Sequence, residues 1–300
     1  CLVGSEMCIR DRSEGIIWRL QETSSKRRTK GTFKCIQNST ARAGRYFLKR
    51  RIKSTGLLCE GGKQMNIALL IAGGAGTRMK QDIPKQFLTV NEKPVIVYTL
   101  EAFQKHVEID VIAVVCLEGW EHVLEAYARQ FNITKLQHIF PGGDCGQASI
   151  RNGIYALEKE YEKDDIILIH DANRPMVSAD IILDCIVKTK QFGNAIPVIP
   201  CAEAMLETED GMVSTGSYPR EKLKRTQTPH GFKLGDICQL HREAEKAGIT
   251  NSVASCTLMI ELGKQVHFSM GSEKNIKITT VDDVDIFKAL LLAKRSEWLK

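Results

Sequence analysis

The sequence predicts an α/β fold: a mostly parallel sheet with helices on both faces and one projecting β-arm. Three observations predict it. From Met65 onward, apolar runs of strand length alternate with segments of helical period, which implies crossover connections between parallel strands. Within "NIALLIA", "IDVIAVVC" and "DIILIH" the stretches "IALLIA", "VIAVVC" and "IILI" are continuously apolar rather than alternating, as strands covered on both faces are. Between residues 200 and 228 the period breaks up around Pro200, Pro219 and an "EDG" turn, which suits a hairpin arm leaving the body.

Each element follows in order. "NIALLIA" is the first strand, and it runs into a cluster of glycines. Ile96, Leu100 and Phe103 then recur at helical spacing behind Pro94, a residue suited to a helix start. Ile109 to Cys116 reads as the second strand. Gly119 to Phe131 reads as a helix with Val123, Leu124, Tyr127 and Phe131 inward. "LQHIF" is a short strand ending at "PGGD"; residues 147–161 form the next helix and Asp165 to His170 the next strand. Ser178 is an N-cap candidate for "SADIILDCIVKTK", with Asp180 near the positive helix end. "NAIPVIP" is the strand before the arm. Helices near 234–247 and 282–298 close the chain, with "QVHFSMG" as a late strand.

Charge divides the chain. Residues 1–64 hold 15 Lys and Arg against 5 Asp and Glu, a net of +10, while the remaining 236 residues carry 27 basic and 31 acidic groups, a net of −4. The basic segment shows no sustained helical or strand period. It is expected to be a disordered or non-native extension: "CLVGSEMCIRDR" resembles a translated sequencing adapter, and Met65 opens directly into the first strand. Residues 65–300 are taken as the folded domain. A nucleic-acid partner for the basic segment is not expected, because its aromatic residues reduce to Phe33, Tyr46 and Phe47 apart from Trp18, without ordered spacing for base stacking. No apolar run approaches the ~20 residues that span a bilayer, so no membrane partner is expected. Ten cysteines lie scattered without C-x-x-C or zinc-ligand spacing. They read as reduced thiols of a cytoplasmic chain, with no structural metal and no disulfide framework.

In an open parallel sheet, ligands collect beyond the carboxyl ends of the strands. Three polar clusters fall there: Gly73–Lys85, Pro141–Ser149 and His170–Pro175. The first, "GGAGTRMKQDIPK", lets bare backbone amides approach an anion because no Cβ intervenes. Arg78 adds a permanently charged planar fork and Lys85 a mobile point charge. Both suit a triphosphate whose negative charge grows during displacement. The spacing matches neither G-x-x-x-x-G-K-[ST] nor G-x-G-x-x-G.

"LLIAGGAGTRM…PKQF", Gly142–Gly143 with Ser149, "HDANRP", "RTQTPHGF" and "NIKIT" occur in that order. Over roughly residues 65–298 this set resembles the 2-C-methyl-D-erythritol 4-phosphate cytidylyltransferase family and its relative, ribitol-5-phosphate cytidylyltransferase. The resemblance implies a Rossmann-like nucleotide-diphospho-sugar transferase fold and transfer of CMP from CTP to a polyol phosphate with release of pyrophosphate. Methylerythritol phosphate, an isoprenoid precursor, is the leading acceptor and ribitol 5-phosphate, for cell-surface polymers, the alternative. It places Ala72, Gly73, Gly74 and Gly76 on the CTP phosphates, and Gly143, Asp144 and Ser149 on cytosine and ribose. Arg78, Lys85 and Lys277 become the catalytic cations. Asp171, Arg174, Arg220 and Thr228 become substrate contacts, with Arg220 delivered across a homodimer by the arm, and Mg²⁺ is expected on the triphosphate. Three positions depart from the family pattern: Gly146 stands for an arginine, Glu203-Ala204 for an Asp-Thr pair, and Val253-Ala254-Ser255 for a Thr-Asp-Glu/Asp triplet. They leave the acceptor open, and a non-catalytic CTP-binding protein is the reading from another class.

Overall fold

The continuously apolar runs become the central strands, because a strand with helices on both sides must present apolar residues to each. The computed structural model describes residues 8–10, 17–19, 63–74 and 83–293. The chain divides into two units, residues 1–58 and 59–300. In the first, β1 (Cys8–Arg10) and β2 (Ile17–Arg19) pair antiparallel with Ile9 opposite Trp18. This is regular structure where the sequence suggested none; three-residue strands are too short to register as a period.

In the second unit, β3 (Asn66–Ala72) is flanked by β6 (Val111–Cys116) and β8 (Ile166–Asp171), both parallel to it, and β7 (Leu136–Pro141) extends the sheet beyond β6. Side chains alternate across these strands. Ala68, Leu70 and Ala72 join Ile112, Val114 and Leu168 in one core beneath α1 (Val95–Lys105), α2 (Glu121–Gln130) and α4 (Ala179–Phe192). Ile67 and Leu69 join Val111, Val115 and Ile167 in the other, beneath α3 (Gly146–Leu157), α5 (Leu234–Lys246) and α6 (Ser255–Glu261). β4 (Thr89–Val90) and β5 (Lys93–Pro94) form a tight hairpin just before α1. The Ser178 hydroxyl accepts a hydrogen bond from the Ile181 amide, so it caps α4 as its sequence position predicts. α2 buries Leu124, and Val123, Tyr127 and Phe131 pack partly buried on the same core.

The far half of the sheet differs from the sequence reading. β13 (His230–Lys233) inserts antiparallel between β8 and β9 (Asn194–Pro200). Its four residues follow a proline-rich stretch and carry no strand period, so only tertiary pairing reveals them. The arm is narrower than 200–228: it consists of β10 (Met205–Glu207) and β11 (Gly216–Tyr218), while β12 (Lys224–Thr226) returns to pair with β9. β14 (Phe268–Met270) adds parallel to β9, and α7 (Val281–Ala293) follows. Residues 294–298 of the predicted last helix lie outside the described residues. The helix α6 was not expected, since seven residues give barely two turns of signal. Among the described residues no helix is long and apolar enough to cross a membrane.

Chain order fixes where a ligand can sit. From β3 the chain moves outward to β6 and β7, then returns to the other side of β3 at β8. The loops leaving β3 and β8 therefore part in opposite directions and open a crevice at the strand ends.

Candidate active site

The loop after β3 touches the loop after β7 backbone to backbone. A Cβ added to Gly73 would stand 3.3 Å from the Cα of Gly142 and 3.1 Å from the Ser149 hydroxyl; one added to Gly142 would stand 3.2 Å from the Cys116 carbonyl. Glycine fits both positions because the two main chains approach closely, and a Cβ at either would have to push its neighbour aside. Gln86, in the short 3-10 helix Lys85–Phe87, is 2% exposed and donates to the Ala72 carbonyl at 2.7 Å and to the Gly74 carbonyl at 3.1 Å. Gln86 thus fixes two carbonyls of the loop from behind. Phe87 anchors the same turn by stacking on Trp120, with centroids 4.6 Å apart.

The second loop is held as firmly. The Gly143 amide donates to the Ser149 hydroxyl at 3.0 Å, and the Gly142 amide to the Cys116 carbonyl at 2.8 Å. Behind it starts α3, whose free amides give its N-terminus a positive character suited to anions. Open space surrounds Gly146, so the missing arginine leaves backbone exposed there. Gln147 ties this helix to the 249–252 segment, donating to the Ile249 carbonyl and accepting from the Ser252 amide, each at 2.7 Å.

The third loop carries the charge. Asp171 binds Arg174 through Oδ2 and Lys277 through Oδ1, both at 3.0 Å. Lys277 reaches it because the 275–279 segment docks on the loop: Asn173 donates its amide to the Ile278 carbonyl, and the Ile278 amide returns a bond of 2.9 Å to the Asn173 carbonyl. Burial opposes ionisation of Asp171, yet the two cations hold its carboxyl well below the usual carboxylate range.

Beneath Asp171 runs a buried chain of hydrogen bonds. His170 Nε2 faces the Arg174 carbonyl at 3.2 Å and must donate to it, which leaves Nδ1 to accept from the Thr228 hydroxyl at 2.9 Å. Thr228 Oγ1 in turn accepts from the Asp171 amide at 3.1 Å. Burial lowers the pKa of His170 to about 4, so the ring is neutral near pH 7. It ties the strand end to the Arg174 carbonyl and the Thr228 hydroxyl.

Two cavities meet at this cluster. One, of about 540 Å³, is lined by Ala72, Gly73, Gly74, Lys85, Gly143, Asp144, Ser149, Asp171 and Lys277. The other, of about 280 Å³, is lined by Asp171, Arg174, Thr228 and Lys277 on one side and by Val253, Ala254 and Ser255 on another. Asp171 and Lys277 belong to both walls. The structure therefore brings together most of the residues singled out in the sequence and separates them into a glycine-loop cleft and a smaller second chamber. Gly76 and Arg78 lie outside the described residues. Arg220 lines neither cavity; it sits in the short 3-10 helix Arg220–Lys222 beyond β11 and donates to the Ala202 carbonyl at 2.9 Å. Gln86, Gln147, Asn173 and the His170–Thr228 bond were not anticipated. Gln86 lies inside the quoted "PKQF" stretch, where an amide between Pro84 and a core Phe87 was the available signal.

The family model described as IspD, 2-C-methyl-D-erythritol 4-phosphate cytidylyltransferase, matches residues 66–293. The chain belongs to this family. It is a cytidylyltransferase, hence a nucleotidyltransferase. Among similar proteins, a ribitol-5-phosphate cytidylyltransferase of Lacticaseibacillus paracasei is 40% identical over 232 residues, covering 77% of this chain and 99% of that one. A 2-C-methyl-D-erythritol 4-phosphate cytidylyltransferase of Clostridium botulinum is 37% identical over 228 residues, covering 75% and 97%. The solved 2-C-methyl-D-erythritol 4-phosphate cytidylyltransferase of Francisella tularensis superposes with a TM-score of 0.63 at 26% identity, covering 75% of this chain and 99% of that one. The mostly parallel mixed sheet is thus the family's fold. Among the described residues no three His, Cys, Asp or Glu side chains gather as a metal-binding group.

Proposed function

We propose that this cytidylyltransferase transfers CMP from CTP to ribitol 5-phosphate and releases pyrophosphate. One observation carries the reading: Asp171 and Lys277 form the common wall of a glycine-lined cleft and a second chamber, so a nucleotide and a phosphorylated acceptor can meet across them. Ribitol 5-phosphate is placed first because the 40% identical relative carries that activity in its name. The second reading, 2-C-methyl-D-erythritol 4-phosphate, is supported by the family description and the 37% identical relative.

The chemistry needs no protein nucleophile. The acceptor's own phosphate is ionised at neutral pH and attacks the α-phosphorus of CTP in line, forming a new P–O bond as the bond to pyrophosphate breaks. The protein positions the two anions and offsets the charge that builds on the leaving group. Ala72, Gly73, Gly74 and Gly76 would present amides to the triphosphate. Lys85, Lys277 and Arg78 would supply the positive field, and Gly143, Asp144 and Ser149 would border cytidine. Arg174 and Thr228 would face the acceptor side. Asp171 would fix the direction of Lys277 and Arg174 by bonding both.

The divalent ion, Mg²⁺ in this proposal, suits Asp171. An ionised carboxylate has about four acceptor positions, of which Lys277 and Arg174 take two, and Mg²⁺ needs only one or two carboxylates beside substrate phosphates. When bound it would neutralise phosphate charge. The enzyme is proposed to act as a homodimer through β10 and β11, whose Leu206, Met212 and Val213 neighbourhood is widely exposed, with Arg220 of each arm serving the other protomer. The cytoplasm is the proposed compartment: six cysteines among the described residues are free thiols, which persist where the environment is reducing.

Incubation with CTP, Mg²⁺ and a panel of polyol phosphates tests the reading, with pyrophosphate release as the signal. Turnover is expected with ribitol 5-phosphate and weaker or absent with methylerythritol phosphate. CTP binding without turnover of any polyol phosphate would leave the non-catalytic binding protein instead.

A further inference from the structure

The smaller chamber holds polar groups that the cation cluster does not use. His241, on α5, is 1% exposed and lines it, and neither ring nitrogen has a hydrogen-bond partner among the described residues. Ser255, at the first turn of α6, is 2% exposed, lines the same chamber, and its hydroxyl likewise has no partner there. Buried polar groups are almost always hydrogen-bonded, because leaving one unpaired forfeits its hydration. Two such residues in the wall of one cavity are candidates for a ligand that brings its own polar atoms.

We propose that His241 and Ser255 form a hydroxyl-reading subsite that binds the uncharged polyol end of the acceptor and sets which acceptor is used. The inference rests on the reading of this chamber as the acceptor site. A neutral imidazole offers one donor and one acceptor, and a serine hydroxyl offers both, which matches two neighbouring hydroxyl groups on a carbon chain. Burial lowers the pKa of His241 to about 4, with the Arg151 charge adding to the effect, so the ring stays neutral near pH 7. A neutral ring avoids burying a charge against a neutral substrate. Ile150 and Leu258 line the chamber as well and suit the carbon backbone between the hydroxyls. Arg174 and Lys277 lie on the wall shared with the cation cluster, so the phosphate points there and the hydroxyl tail points inward.

A chamber with these groups discriminates by hydroxyl count. A linear pentitol phosphate places a hydroxyl where a branched or deoxygenated acceptor places hydrogen or methyl, and the latter leaves His241 or Ser255 unpaired.

The test uses the full chain with ribitol 5-phosphate, its 1-deoxy analogue and inorganic phosphate as probes, and the variants His241→Leu, His241→Gln and Ser255→Ala. His241→Leu is expected to raise the KM for ribitol 5-phosphate roughly tenfold, the worth of one hydrogen bond, and to change that for the deoxy analogue about twofold or less. His241→Gln, which keeps a donor and an acceptor, is expected to recover most of the loss. In the wild-type protein the imidazole nitrogen resonances of His241 are expected to shift with ribitol 5-phosphate and not with inorganic phosphate. Equal losses on both acceptors, unchanged discrimination in folded variants, or an unmoved imidazole signal would each overturn the subsite. If His241→Leu does not fold, Ser255→Ala and the imidazole signal decide alone. A shifted signal without turnover of any polyol phosphate sinks the transferase reading and keeps the subsite; turnover with an unmoved signal does the reverse.

Discussion

Replacing Gln86 by Glu changes one atom type and inverts the hydrogen bonding at the glycine loop. The amide nitrogen donates to the carbonyls of Ala72 and Gly74, whereas an ionised carboxylate only accepts. Two neutral hydrogen bonds are worth about 1 kcal/mol each, so about 2 kcal/mol disappears with the donor. Lone pairs then face two carbonyls in a site that is 2% exposed, and the unpaired groups bring the destabilisation to about 3 kcal/mol. For a domain of this size that corresponds to a fall of roughly 6–12 °C in melting temperature. The glycine loop loses its support at the same point, so the KM for CTP is expected to rise more than that for the acceptor. Burial also raises the pKa of the new carboxyl, and the protonated acid regains one donor. The defect is therefore expected to shrink as pH falls toward about 5. The assay is thermal unfolding without nucleotide at several pH values, paired with steady-state kinetics. An unchanged melting temperature and an unchanged CTP KM would refute the account of how the loop is held.

Lys85→Ala is expected to lower turnover by about 10²–10³-fold, since it removes transition-state charge stabilisation; near-normal pyrophosphate release would refute its role. Thr228→Val preserves shape but leaves His170 Nδ1 and the Asp171 amide unpaired, and should cost about 2–4 kcal/mol in denaturant unfolding. His170, His230 and His241 each have a folded pKa lowered to about 4, chiefly by burial. Their unfolded value is near 6.5, so the stability tied to their neutral form is complete above about pH 6.5 and falls as pH drops toward about 4. Unfolding free energies from urea titrations should decline across that window by several kcal/mol in total, at up to about 1.4 kcal/mol per proton per pH unit. A flat profile there contradicts the burial of these rings. Leu206→Glu, at a residue 66% exposed on the arm, is expected to convert a dimer to monomers by light scattering and to raise the acceptor KM by withdrawing the other protomer's Arg220; a wild-type monomer with full activity would end that proposal.

Much of the architecture was legible in the chain because both of its signals are local. The runs at 66–72, 111–116 and 166–171 are apolar at every position but Asn66, His170 and Asp171, a pattern that suits strands covered by helices on both faces. Glycines beside basic residues at a strand end likewise carry their chemistry in residue type alone, which is why Gly73 and Lys85 could be named in advance, whereas Lys277 came only from the family resemblance of "NIKIT". What stayed hidden depends on partners far away in sequence. β13 is a strand because β8 and β9 flank it, and Gln86 matters because it reaches back to carbonyls that its own turn does not contain.

By itself, then, the sequence determined the sheet with its covering helices and the glycine-and-cation make-up of the loops at its edge, since apolar periodicity and charge act over a few neighbouring residues. Tertiary structure alone decided that Asp171 and Lys277, 106 positions apart, form one wall between two cavities. It also placed His241 and Ser255 in the wall of the same chamber, with polar atoms that have no hydrogen-bond partner among the described residues. Hydrogen bonding and burial are properties of position in space, and the order of residues states neither until the chain has closed on itself.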